Sequence, residues 1–131
     1  CTIKSKNNKT KIKHLLIKIE SYIEEKDIAN SSKLSIEHIL PENSSSPVWN
    51  EAFDNNTKDY VYRLGNYSIL TNTDNRKCAA KDFEAKKNIY KDSRYKLSKD
   101  LCACPVWNIA ELQKRQEYLA RLAKEIWKVE Y

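Results

Sequence analysis

Imidazole is the side chain best suited to take up a proton near neutral pH, and the chain carries only two. His14 lies between Lys13 and Leu15 in a helix-periodic stretch and reads as a structural or surface residue. His38 lies between Glu37 and Ile39, just before Pro41. Proline cannot donate to a β-ladder, so a strand carrying His38 must stop there. That leaves the imidazole at a loop mouth rather than in a sheet centre. A lone histidine in such a place still reads more often as structural than as catalytic. Two amides follow in chain order, Asn66 and Asn75, in a chain rich in asparagine. A neutral imidazole can take a proton from water near pH 7, but one histidine and two asparagines alone define no site.

These residues need short elements to hold them. Residues 11–27 place Ile12, Leu15, Leu16, Ile19, Tyr22 and Ile23 at helical spacing, with Thr10 available as N-cap. Residues 34–40 are a short apolar segment ended by Pro41, and 42–47 form a polar loop. Residues 48–63 read as short helical pieces. Residues 64–70 are the second strand candidate, and Gly65, the sole glycine, suggests a positive φ at the strand entry. Asp74 or Thr73 can cap a helix that starts near Asn75, and a basic helix runs from Asn75 or Lys81 to Tyr90. Residues 107–129 give the longest apolar stripe, through Ile109, Leu112, Leu119, Leu122 and Ile126. The expected fold is α+β and mostly helical, with two strands followed at once by a helix. Residues 1–10 are expected to be a frayed or linker end and residues 11–131 the domain.

Composition narrows the function classes. Charged residues make up 32% and apolar residues 40% of 131 positions, ordinary for a globular domain. No apolar run approaches the roughly eighteen residues of a membrane span, and no signal peptide is visible. The first residue is Cys1 and methionine is absent, which reads as a piece of a longer protein. The net charge of +6 is concentrated in residues 1–19 and 76–99. Such basic blocks attract polyanions or simply solvate a face. Cys102 and Cys104 lack zinc-ribbon spacing and a second ligand pair, so free thiols in a reducing cytoplasm are expected. Trp49, Trp107 and Trp127 are expected in the core rather than as stacking platforms.

The segment Glu37-His38-Ile39-Leu40-Pro41 resembles the acid-His-apolar-x-Pro motif that opens HNH nuclease sites. The likeness extends over roughly residues 12–128, to the C-terminal HNH-like domain of GmrSD-type modification-dependent restriction endonucleases. Leu64-Gly65-Asn66-Tyr67-Ser68-Ile69-Leu70 resembles that family's Leu-Gly-Asn-Leu-Thr-Leu-Leu segment. Asn75-Arg76-Lys77 and then Phe83, Lys86, Lys87 and Tyr90 resemble its Asn-x-Lys and Phe-x-x-Lys-Lys stretch. Trp107, Arg115 and Ile126-Trp127 resemble its helical tail. Tyr67 and the pair Cys78-Ala79 depart from the usual residues.

The resemblance implies a ββα-metal core and a metal-dependent DNA endonuclease of a type IV restriction system. His38 would be the general base, and Asn75 a ligand of Mg²⁺, with Mn²⁺ as substitute. Glu37 would be the carboxylate ligand and Asp74 the fallback. Adjacent strand residues face opposite ways, so Glu37 and His38 share a site only if the strand twists or ends there. Asn66 would brace the loop that holds His38, or be a simple turn-entry asparagine. Arg76, Lys77, Lys81, Lys86 and Lys87 would grip the DNA backbone. The partners implied are DNA and an NTPase region outside this chain, in a cytoplasmic protein. The rival expectations are an inactive nucleic-acid-binding module and a partner-binding helical domain.

Overall fold

A computed structural model describes residues 9–43 and 46–130. The expectation of a frayed start lies outside the described residues for positions 1–8. Helix α1 spans Lys9–Glu24 and buries Ile12, Leu16, Ile17, Ile19 and Glu20, the face its apolar spacing marks. It begins earlier than its apolar pattern, so Thr10 sits inside the first turn and not at the N-cap.

Strand β1 (Leu34–His38) pairs antiparallel with β2 (Tyr67–Thr71) in a two-stranded sheet. The register runs from Leu34 opposite Thr71 to His38 opposite Tyr67. Between the strands lie two short helices, α2 (Pro47–Ala52) and α3 (Thr57–Tyr60). Side chains alternate across a strand, and both faces of β2 are covered. Tyr67 and Ile69 pack into one core with Leu16 of α1. Leu70 packs into a second core with Leu40, Trp49, Phe53 and Tyr90.

Helix α4 (Asn72–Cys78) follows β2 without a loop. Its cap is Thr71, whose hydroxyl accepts from the Asp74 amide at 3.2 Å, rather than Thr73 or Asp74. The basic helix expected through Tyr90 is two helices. Ala79, at φ 41°, turns the chain out of α4, and Asp82 caps α5 (Phe83–Tyr90) by accepting from the Ala85 amide at 3.0 Å.

Helix α6 (Lys96–Lys99) has no cap of its own. The buried Glu20 carboxylate of α1 serves instead, accepting from the Lys96 and Leu97 amides at 2.8 and 2.9 Å. Helix α7 (Ile109–Glu130) contributes Leu112 to the second core and Leu119 and Ile126 to the first, as its stripe predicts. Trp49 and Trp107 are buried, as expected of core residues. The Trp127 side chain lies outside the described residues.

Gly65 corrects one expectation. It lies in a 3₁₀ turn at Leu64–Asn66, just before β2, and its φ is not positive. The demand for glycine is steric: a Cβ there would stand 2.5 Å from the Leu112 carbonyl oxygen and 2.9 Å from the Gln116 Cβ of α7. Arg115 of α7 reinforces this approach by donating to the carbonyls of Gly65 and Tyr67.

Candidate active site

His38 ends β1 on the face that points toward α1 and α7, edge-on to the Tyr67 ring at 5.1 Å and the Tyr62 ring at 6.1 Å. Its Nδ1 stands 3.7 Å from Oε1 of Glu42, in the loop just past Pro41. Glu42 is held from its other oxygen by the Tyr62 hydroxyl, which donates at 2.9 Å. Burial pulls the His38 pKa below its ordinary value, and the Glu42 carboxylate opposes that shift. The imidazole is therefore neutral at pH 7 and able to accept a proton.

Asn75 reaches the same place from α4. Its Nδ2 donates to the Ser35 hydroxyl at 2.8 Å and the Ile36 carbonyl at 2.9 Å. A carbonyl can only accept, so these bonds fix which end of the amide is nitrogen. His38, Glu42 and Asn75 together line two adjoining clefts. One, of about 410 Å³, runs between β1 and the start of α1, where Lys9 and Lys13 join its wall. The other, of about 230 Å³, is closed by Pro41, Asn43, Ala79 and Ala80.

The loop carrying His38 into this cleft is fixed by Asn66. The Asn66 side chain is fully buried and uses all four of its hydrogen-bonding positions. Oδ1 accepts from the Leu40 amide at 2.8 Å and the Trp107 indole at 3.1 Å. Nδ2 donates to the carbonyls of Leu40 at 3.0 Å and Val61 at 2.9 Å. Asn66 is a brace, with no donor or acceptor left for substrate.

Glu37 lies on the opposite side of the sheet. The register stays regular through His38, so the two side chains point to opposite faces. The Glu37 carboxylate is 2% exposed, and its Oε2 accepts from Lys86 Nζ at 3.0 Å and from the Tyr90 hydroxyl. Burial raises its pKa, and the Lys86 ammonium and Tyr90 hydroxyl work against that rise. Glu37 borders the smaller cleft, but the structure does not bring its carboxylate onto the face of His38.

Lys86 is the second correction. The resemblance places it among the residues that grip the DNA backbone, yet it is fully buried and out of reach of DNA. Besides Glu37, its Nζ donates to the His38 carbonyl at 2.7 Å and the Ile39 carbonyl at 3.0 Å. Three acceptors saturate the ammonium, and the cation ties α5 to the strand end that carries His38. Lys87 is also engaged, donating to the Cys104 carbonyl at 3.1 Å and pairing with Glu84 at 2.9 Å. Arg76, Lys77 and Lys81 are exposed.

Sequence reasoning missed Glu42, Tyr62, Lys9 and Lys13. Only the basic block at residues 1–19 pointed toward the last two. Cys78, Cys102 and Cys104 are free. Among the described residues no three His, Cys, Asp or Glu side chains converge as a cation cage. The donors at the cleft are oxygens: the Asn75 amide and a bordering carboxylate. That set fits a hard cation that keeps most of its water, and it does not fit a structural zinc site.

The structure thus brings a largely buried histidine at a strand end to one cleft with an asparagine from the helix that follows two antiparallel strands. The chain belongs to the family of C-terminal domains of GmrSD restriction endonucleases, whose family model matches residues 2–122. A comparison with curated proteins gives no match. No helix among the described residues is long and apolar enough to cross a membrane.

Proposed function

We propose that this chain is a DNA endonuclease domain of the HNH, ββα-metal type, hydrolysing phosphodiester bonds with one divalent cation, Mg²⁺ with Mn²⁺ as substitute. The observation that carries this reading is the convergence of His38 and Asn75 on one cleft from separate elements, β1 and α4. Family membership supports the nuclease class. Restriction of modified foreign DNA in the cytoplasm, with an NTPase region elsewhere in the protein, is part of the same proposal and rests on the family alone.

His38 takes a proton from water, and the resulting hydroxide attacks phosphorus as the bond to the leaving oxygen breaks. The imidazole must be neutral at the outset, and its burial keeps it so. Asn66 and Lys86 hold the backbone from His38 to Leu40, which fixes the imidazole against the wall that Tyr62 and Tyr67 form. Asn75 would hold the cation by its side-chain oxygen, its nitrogen being tied to β1. The cation, when bound, neutralises charge on the phosphate and stabilises the leaving oxygen. Arg76, Lys77 and Lys81 supply sequence-independent contacts to neighbouring phosphates.

The test is cleavage of plasmid DNA with Mg²⁺ or Mn²⁺, with and without a chelator, by the chain and by Asn75→Ala. Cation-dependent cleavage that Asn75→Ala reduces at least tenfold is expected. Chelator-resistant cleavage contradicts the reading.

A further inference from the structure

Resting on the nuclease reading, we infer that helix α1 holds the DNA strand against the site, with Lys9 and Lys13 contacting backbone phosphates beside the one that is cut. The strand then lies in the cleft between β1 and the first turns of α1.

Three observations carry this placement. The cleft of about 410 Å³ takes its lining from both faces of β1, at Leu34, Ser35, Ile36 and His38, and none from β2. It therefore opens along the edge of β1 that pairs with no strand in the two-stranded sheet. A run of phosphates can follow that edge and still bring one of them to His38 and Asn75, which line the same cleft.

The facing wall is cationic. Lys9 and Lys13 stand four residues apart, so they share one face of α1, and both line the cleft. Lys9 is exposed and pairs with no carboxylate among the described residues. The Lys13 Nζ donates to the Ser31 carbonyl at 2.7 Å, which anchors the ammonium and leaves two of its three donors for a ligand. The first turn of α1 holds no acidic side chain, so the positive end of the helix adds to the field. The lining includes one carboxylate, Glu42, which already accepts from the Tyr62 hydroxyl. A cleft with such an excess of one sign concentrates a polyanion.

The side of the site that follows Asn75 offers less charge than its sequence suggests. Lys86 is buried against Glu37, and Lys87 is tied to Glu84 and the Cys104 carbonyl. Lys9 and Lys13 supply phosphate contacts from the opposite wall, and such contacts fix the position of the strand without reading its sequence.

The experiment measures binding of the full 131-residue chain to a labelled DNA duplex by fluorescence anisotropy, over a salt series with Ca²⁺ in place of Mg²⁺. Each lost phosphate contact lowers the slope of log affinity against log salt by roughly 0.9. The double variant Lys9→Gln with Lys13→Gln is expected to bind about tenfold more weakly at 0.1 M salt, with its slope reduced by about 2. Lys99→Gln with Lys124→Gln removes equal charge from exposed positions that line neither cleft, and is expected to bind within about twofold of wild type with an unchanged slope. In Mg²⁺, cleavage by the Lys9 and Lys13 variant should be slow at low enzyme concentration and recover at saturation, because these side chains hold DNA and do not touch the reacting atoms. Lys9→Gln alone, at an exposed position, carries the same test with a slope change of about 1 if the double variant melts early. Wild-type affinity and slope in both variants overturn the α1 path, while Mg²⁺-dependent cleavage by the wild type keeps the nuclease reading. Weakened binding in the variants of a chain that cuts no DNA keeps the α1 contact and overturns the nuclease reading. A wild-type chain that neither binds nor cuts DNA overturns both.

Discussion

Replacing Lys86 with methionine tests whether the ion pair behind the cleft holds the site together. Methionine fills nearly the same volume, so the change removes the charge and donors and little of the packing. Glu37 is then left 2% exposed with no cation, and the carbonyls of His38 and Ile39 lose their donor. Breaking one side of a buried pair costs about 3–5 kcal/mol, against a total of about 5–15 kcal/mol for a domain. A domain of this size loses roughly 4 °C of melting temperature per kcal/mol, so a fall of about 10–20 °C is expected. Glu37→Leu should cost a similar amount for the converse reason. In the double variant no buried charge remains. It keeps the unpaired Tyr90 hydroxyl and two carbonyls, and should cost about as much as either single change. The coupling energy is then about 3 kcal/mol or more. Urea unfolding followed by tryptophan fluorescence reads it, since Trp49 and Trp107 are buried. Additive costs, or a loss below about 1 kcal/mol for Lys86→Met, would refute the claim that this pair is a closed electrostatic unit.

Gly65→Ala forces a methyl to 2.5 Å from the Leu112 carbonyl oxygen and should cost about 1–3 kcal/mol, measured by urea unfolding. The Glu20–Glu24 pair in α1 makes stability depend on pH. Burial, then the hydrogen bond to Glu24, raises the Glu20 pKa to about 7, so the folded state holds that proton more tightly than the unfolded chain. The stabilisation is full below the unfolded value near 4.5 and is lost as pH rises through about 7. Glu24 is shifted down, so its own contribution is already in place above the ordinary carboxylate value and does not cancel this decline. Glu24→Gln removes the neighbouring charge, so its unfolding free energies at pH 5 and pH 8 should differ less than those of wild type.

Much of the fold was legible because it rests on local rules. Apolar spacing marked the buried faces of α1 and α7, and Pro41 marked the end of β1. The misreadings share a physical origin in tertiary contact. Gly65 looked like a backbone demand, but it answers to a helix some fifty residues later in the chain. Lys86 read as a DNA-gripping surface cation because lysine is mostly exposed; only the fold brings Glu37 and two carbonyls to its ammonium. Within the site, His38, Asn66 and Asn75 were visible as motif residues, and the structure places His38 and Asn75 on one cleft with Asn66 braced behind. Glu42 and Tyr62 were not visible, since their relation to His38 depends on how a twenty-eight-residue connection between β1 and β2 folds back on itself.

The proposed reaction turns on His38 taking the proton from the attacking water. Single-turnover cleavage of DNA by His38→Ala, at saturating Mg²⁺ and with melting temperature and Mn²⁺ affinity measured alongside, tests it most directly. The rate is predicted to fall by about 10²–10⁴-fold while folding and cation binding stay near wild type. Cleavage at the wild-type rate by a folded His38→Ala chain would contradict it.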